Sequence, residues 1–107
     1  MTWSEKFYLD PALKKKYRRI RWKIEHGKAQ RTVFLLYVER GHLELIPSPV
    51  LLQDGYPRDF CAVGLAGTKA AGFRLIENIT SEMYDELGAV DYNRFFGLTD
   101  SAPAGGS

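Results

Sequence analysis

Residues 32–40, TVFLLYVER, decide how the rest of the chain has to fold. The run is apolar at nearly every position instead of at alternate ones, the pattern of a strand buried on both faces of a sheet. It ends in the turn signal ERGH at 39–42 and leads into a second strand-like run at 43–52. Two hairpin registers are open. A Gly41-His42 loop sets Glu39 opposite Glu44, whereas an Arg40-Gly41 loop sets Glu39 opposite His42 and keeps like charges apart, so the second is expected. It places Phe34, Leu36, Val38, Leu43 and Leu45 on one face, and Val33, Leu35, Tyr37 and Ile46 with Glu44 on the other.

Pro47 and Pro49 cannot donate to a ladder, so the second strand belongs at an edge and the first becomes central. After the turn-rich loop at 53–59, QDGYPRD, the run FCAVGLA at 60–66 reads as a third strand on the free side of the first. The expected order is 2-1-3, with a 1-2-3 meander as the alternative.

Working outward, Asp10 is an N-cap candidate with Pro11 at the first helical position, and helix formers continue to Glu25 before Gly27 stops them. In this helix one, Leu13, Tyr17, Ile20 and Ile24 form a narrow stripe for the sheet. Trp3, Phe7, Tyr8 and Leu9 are read as a further short helical turn. Beyond the third strand, Thr68 caps helix two at 69–87 and Gly88 stops it; its expected stripe is Phe73, Ile76, Ile79, Met83 and Leu87, with Gly72 allowing close approach. Tyr92, Phe95 and Phe96 are too apolar for a free tail and should pack on this domain or on a second copy.

The expectation is therefore one small α+β domain, α-β-β-β-α, over residues 1–98, with a three-stranded sheet, two amphipathic helices and a tail at 99–107. A chain of 107 residues buries about two thirds of its unfolded surface, enough for one core. Hydrophobic residues at 45% and charged residues at 26% fit a soluble globular protein, and the net charge of +2 is modest. Its placement is uneven: nine of the fifteen Lys and Arg residues fall within 14–31. A single cysteine permits no intrachain disulfide, and no apolar run approaches the ~18 residues of a membrane span, so a cytoplasmic protein without membrane contact is expected.

At about 100° per residue, Trp22 lies opposite Leu13 on helix one, away from the apolar stripe and among Lys15, Arg18, Arg19 and His26. An aromatic among cations is an anchor for a protein partner or part of a nucleic-acid surface, unless the N-terminal segment around Trp3 and Phe7 covers it. A second candidate is the strand-to-helix turn Gly67, Thr68 and Lys69, whose free N–H groups and positive helix end suit an anion, although it matches neither a phosphate-binding loop nor a dinucleotide fingerprint. Third, helices packed on one face would leave Val33, Leu35, Tyr37 and Ile46 bare, which predicts a homodimer through that patch.

His26 and His42 lack partners at ligand spacing, so neither a metal nor a cofactor is expected. Cys61 in an apolar strand reads as a buried, inert thiol, Ser48 stands in no nucleophile turn, and Asp54, Tyr56, Arg58 and Asp59 are accounted for by turn chemistry. The sequence thus favours a non-catalytic protein-interaction or self-association module, with nucleic-acid binding through helix one and anion binding at Gly67 as alternatives.

Overall fold

The structure is a computed structural model and describes residues 2–28, 32–51, 53 and 60–98. In chain order the elements are strand β1 (Thr2–Leu9), a 3-10 turn (Pro11–Leu13), helix α1 (Tyr17–Glu25), strands β2 (Phe34–Glu39) and β3 (His42–Pro47), a helical turn α2 (Ser48–Leu51), strand β4 (Cys61–Ala66), helix α3 (Lys69–Leu87) and a short α4 (Tyr92–Phe95). The four strands form one mixed sheet in the order β1-β4-β2-β3. It is an α+β domain, and it has one strand more than the sequence reading allowed.

The hairpin adopts the register that charge selects, Glu39 opposite His42 and Tyr37 opposite Glu44. Arg40 (φ 52) and Gly41 (φ 77) both have left-handed backbone, the two-residue turn that matches strand twist. β3 with its terminal Pro47 is an edge, and β4 pairs antiparallel with β2 on the other side. The expected order 2-1-3 is therefore embedded in the sheet. Ser48 secures the end of the hairpin: its N–H donates to the Val33 carbonyl at 2.8 Å and its buried hydroxyl accepts from the Val33 N–H at 3.1 Å.

The added strand is β1, whose residues were expected to make a helical turn. It lies parallel to β4, with Thr2 opposite Cys61 and Trp3 opposite Ala62, then Tyr8 opposite Gly64 and Leu9 opposite Leu65. Five steps on β1 (3 to 8) span two on β4 (62 to 64), so the polar residues Ser4, Glu5 and Lys6 form an irregular bulge. That interruption hides the strand period, yet Trp3, Phe7 and Leu9 still share one face and Tyr8 takes the other.

The helices cover opposite faces of the sheet, not the single face expected. Leu13, Ile20 and Ile24 pack with Val33, Leu35, Tyr37, Ile46, Ala62 and Leu65 on one side. Ala71, Leu75, Ile79 and Met83 of α3 pack with Leu36, Val38, Val63 and Ala66 on the other, joined by Phe95 and Phe96. Four strands about 4.8 Å apart make a sheet about 19 Å wide, and helices pack 8–10 Å apart. A face therefore takes about two helices, and α3 with the α4 aromatics fills one, leaving the other for α1.

Helix one is shorter than expected. Asp10 and Pro11 start a 3-10 turn, and the α-helix proper begins only at Tyr17, after the like-charged run Lys14 to Lys16, which offers no i,i+4 pairing. On α3 the Thr68 cap and the left-handed Gly88 stop are as expected: the Thr68 hydroxyl accepts from the Ala71 N–H at 3.0 Å. The buried seam is rotated, however. A Cβ on Gly72 would lie 3.0 Å from Leu45 Cδ1, so the helix axis closes down over Gly72. Leu75, Ile79 and Met83 take the centre, and Phe73, about 100° round from Gly72, is left exposed.

Candidate functional site: the basic outer face of α1

Burying Ile20 and Ile24 against the sheet fixes which way α1 faces, and its opposite side is turned outward. Lys15 in the turn before the helix, Arg18, Arg19 and Trp22 on it, and His26 at its C-cap are all exposed. All five predicted residues are thus brought to one surface. Trp22 is 49% exposed, a large value for a tryptophan. It stacks on His26, one turn onward, with ring centroids 4.2 Å apart and planes inclined by 21°. The imidazole is held there because His26 Nδ1 donates to the Trp22 carbonyl oxygen at 2.8 Å, the same oxygen that accepts the His26 backbone N–H at 3.0 Å.

The N-terminal segment does not cover Trp22. Trp3 and Phe7 contact each other at 5.7 Å, and Phe7 meets Tyr17 at 5.5 Å, which places them around the side of α1. The guanidinium of Arg21 sits 4.7 Å from the Trp3 ring and donates to the Tyr17 hydroxyl at 3.3 Å. Arg21 also pairs with Glu25 at 3.6 Å, a contact that occupies the only acidic side chain of the helix. Among the described residues, Lys15, Arg18 and Arg19 join no ion pair.

The anion candidate at the β4–α3 turn has a different outcome. The Gly67 N–H donates to Asp10 Oδ2 at 2.9 Å, and Asp10 Oδ1 accepts from the Ala12 N–H at 3.1 Å. Asp10 is itself buried, and its N–H donates to the Leu65 carbonyl. The anion that this turn holds is thus the chain's own carboxylate. Thr68 is engaged as the cap of α3, and Lys69 lies with its Nζ 5.9 Å from the Phe73 ring. Sequence reading saw Asp10 as a local cap; its second bond crosses 57 positions and leaves no local signal.

Val33, Leu35, Tyr37 and Ile46, expected to line a dimer interface, are each at most 6% exposed and form the core beneath α1. The bare apolar patch on which a homodimer was expected does not exist. Cys61, at the head of β4, is a free thiol of intermediate exposure rather than a buried one. Among the described residues, no group of three or more His, Cys, Asp or Glu could hold a metal ion, and no helix is long and apolar enough to cross a membrane. Asp54, Tyr56, Arg58 and Asp59, and the tail at 99–107, lie outside the described residues.

Sequence reading missed one polar cluster. The Tyr8 hydroxyl donates to Glu82 Oε1 at 2.6 Å, and the neighbouring Lys6 pairs with Glu86 at 3.4 Å while its Nζ sits 3.8 Å from the Phe95 ring. Burial, then the hydrogen bond and the charges of Glu82 and Glu86, hold the Tyr8 phenol well above its ordinary value. These contacts tie β1 to α3 and α4 and have the character of structural fastenings. Comparisons with models of known protein families, with curated proteins and with solved structures return no match.

Proposed function

We propose that this chain is a non-catalytic interaction module whose recognition surface is the outer face of α1 and whose partner is anionic. The observation that carries the reading is Trp22, half exposed on a helix whose apolar side is already buried, beside Lys15, Arg18 and Arg19, which join no ion pair among the described residues. A folded chain gains by covering such a ring, and a partner that covers it gains the same burial together with the neighbouring charges. Self-association through Val33, Leu35, Tyr37 and Ile46 has lost its physical basis, and the Gly67 turn is filled by Asp10.

Retention on immobilised heparin, a generic polyanion, tests this. Arg18→Glu/Arg19→Glu should elute at clearly lower salt than Lys69→Glu/Arg74→Glu, although both change the net charge equally. Trp22→Ala should keep the unfolding free energy within about 0.5 kcal/mol of the parent, because it removes an exposed side chain. Equal elution of the two double variants would show a response to net charge alone and defeat the proposal.

A further inference from the structure

The exposed apolar residues Phe73, Tyr84 and Val90 lie along or just beyond α3, and nothing in the structure indicates what would cover them. The buried Trp3 Nε1 has no hydrogen-bond partner among the described residues, and it sits within aromatic packing against Phe7, beneath Arg21, with nothing that marks a ligand. The α1 face goes further, because its composition discriminates between partners.

A protein interface is built around a dry centre that admits aromatic residues and an occasional arginine but is poor in lysine and in clustered charge of one sign, with the anchor ringed by neutral contacts. The surroundings of Trp22 are the reverse: Lys15, Arg18, Arg19 and the imidazole of His26, all exposed. A protein partner would have to strip water from several cations to bury one ring. Surfaces for single-stranded nucleic acid have the composition seen here, cations that follow the phosphates and an aromatic plane on which a base lies. The near-parallel Trp22–His26 pair, 4.2 Å between centroids, already forms a two-ring stack. At about 1.5 Å rise per residue, the 9 residues of α1 extend about 14 Å, a footprint of a few nucleotides.

We infer that the outer face of α1 binds single-stranded nucleic acid, with Trp22 stacking on a base against His26 while Lys15, Arg18 and Arg19 neutralise the backbone. This rests on the reading of that face as the recognition surface. Neutralising about three phosphates of a single strand gives a log–log salt slope of about −2. Losing one stacked base lowers affinity by about 5- to 150-fold.

The test is fluorescence anisotropy of labelled 12-mers of thymidine and of uridine with the full chain, competed by a blunt duplex of equal charge, by polyglutamate and by anionic phospholipid vesicles. The expected result is binding of a single strand with the stated slope, retained in Trp22→Phe and weakened 5- to 150-fold in Trp22→Ala, with each competitor weaker than the strand. Preference for thymidine or uridine assigns the strand as DNA or RNA. Tighter binding of duplex or vesicles, or an unchanged affinity in Trp22→Ala, would overturn the inference by showing that stacking plays no part. If polyglutamate binds at least as well as the strand, the inference fails and the interaction module stands. If no polyanion binds at low salt, both fail.

Discussion

Both carboxylate oxygens of Asp10 are engaged, one by the Ala12 N–H and the other by the Gly67 N–H, so a single buried side chain joins the start of the first helical turn to the start of α3. Asp10→Ala removes a cap worth about 0.5–2 kcal/mol and leaves a partly buried N–H without its acceptor. The variant should lose about 1–3 kcal/mol of unfolding free energy in urea; a loss under about 0.5 kcal/mol would mean that water replaces the carboxylate at no cost. Only half of this role is legible from the chain, because Asp-Pro announces a cap while a bond to a residue 57 positions away follows from the packing of β1 beside β4. Trp22 shows the converse. Within α1 the helix period sets Trp22 about 160° from both Ile20 and Ile24, so burying those two leaves it exposed beside Arg18, Arg19 and His26.

Among the elements, β2, β3 and β4 could be read because each carries a local signal: a doubly buried run, a charge-selected turn and flanking prolines or glycines. β1 could not. Its polar bulge breaks the alternation of Trp3, Phe7 and Leu9, and a parallel partner 59 residues away (2 to 61) supplies no turn to announce it. What fastens it on the α3 side is Tyr8, whose hydroxyl donates to Glu82. The folded state holds the phenolic proton above the ordinary value of 10.0, chiefly through burial, while the unfolded chain releases it there. Above pH 10.0 the unfolded state therefore binds fewer protons than the native one, and stability must fall as pH rises. Urea midpoints measured from pH 9 to 11.5 should decline less steeply in Tyr8→Phe than in the parent. Parallel declines would show that Tyr8 titrates alike in both states.

At the scale of the whole molecule, the sheet separates two chemistries. The basic helix α1 lies on one face, and Glu77, Glu82, Asp85 and Glu86 of α3 lie on the other, so a small net charge conceals a strong asymmetry. A run apolar at nearly every position already implied cover on both sides; placing both helices on one face ignored that implication, and with it the reason for a dimer disappears. Leu35→Ala, beneath α1, should accordingly cost about 2–5 kcal/mol of stability and leave the mass of the folded species unchanged in light scattering. A halved mass at unchanged stability would restore the interface. Trp22 is half exposed beside Lys15, Arg18 and Arg19, which join no ion pair among the described residues, and ionic quenching of its fluorescence in a Trp3→Phe background reads both exposure and charge at once. An exposed indole among lysines and arginines concentrates anions around it. Emission should be red-shifted and quenched more steeply by iodide than by caesium, with the difference shrinking as sodium chloride is added. A blue-shifted emission protected from both ions would mean that Trp22 is covered and that α1 offers no exposed basic aromatic surface.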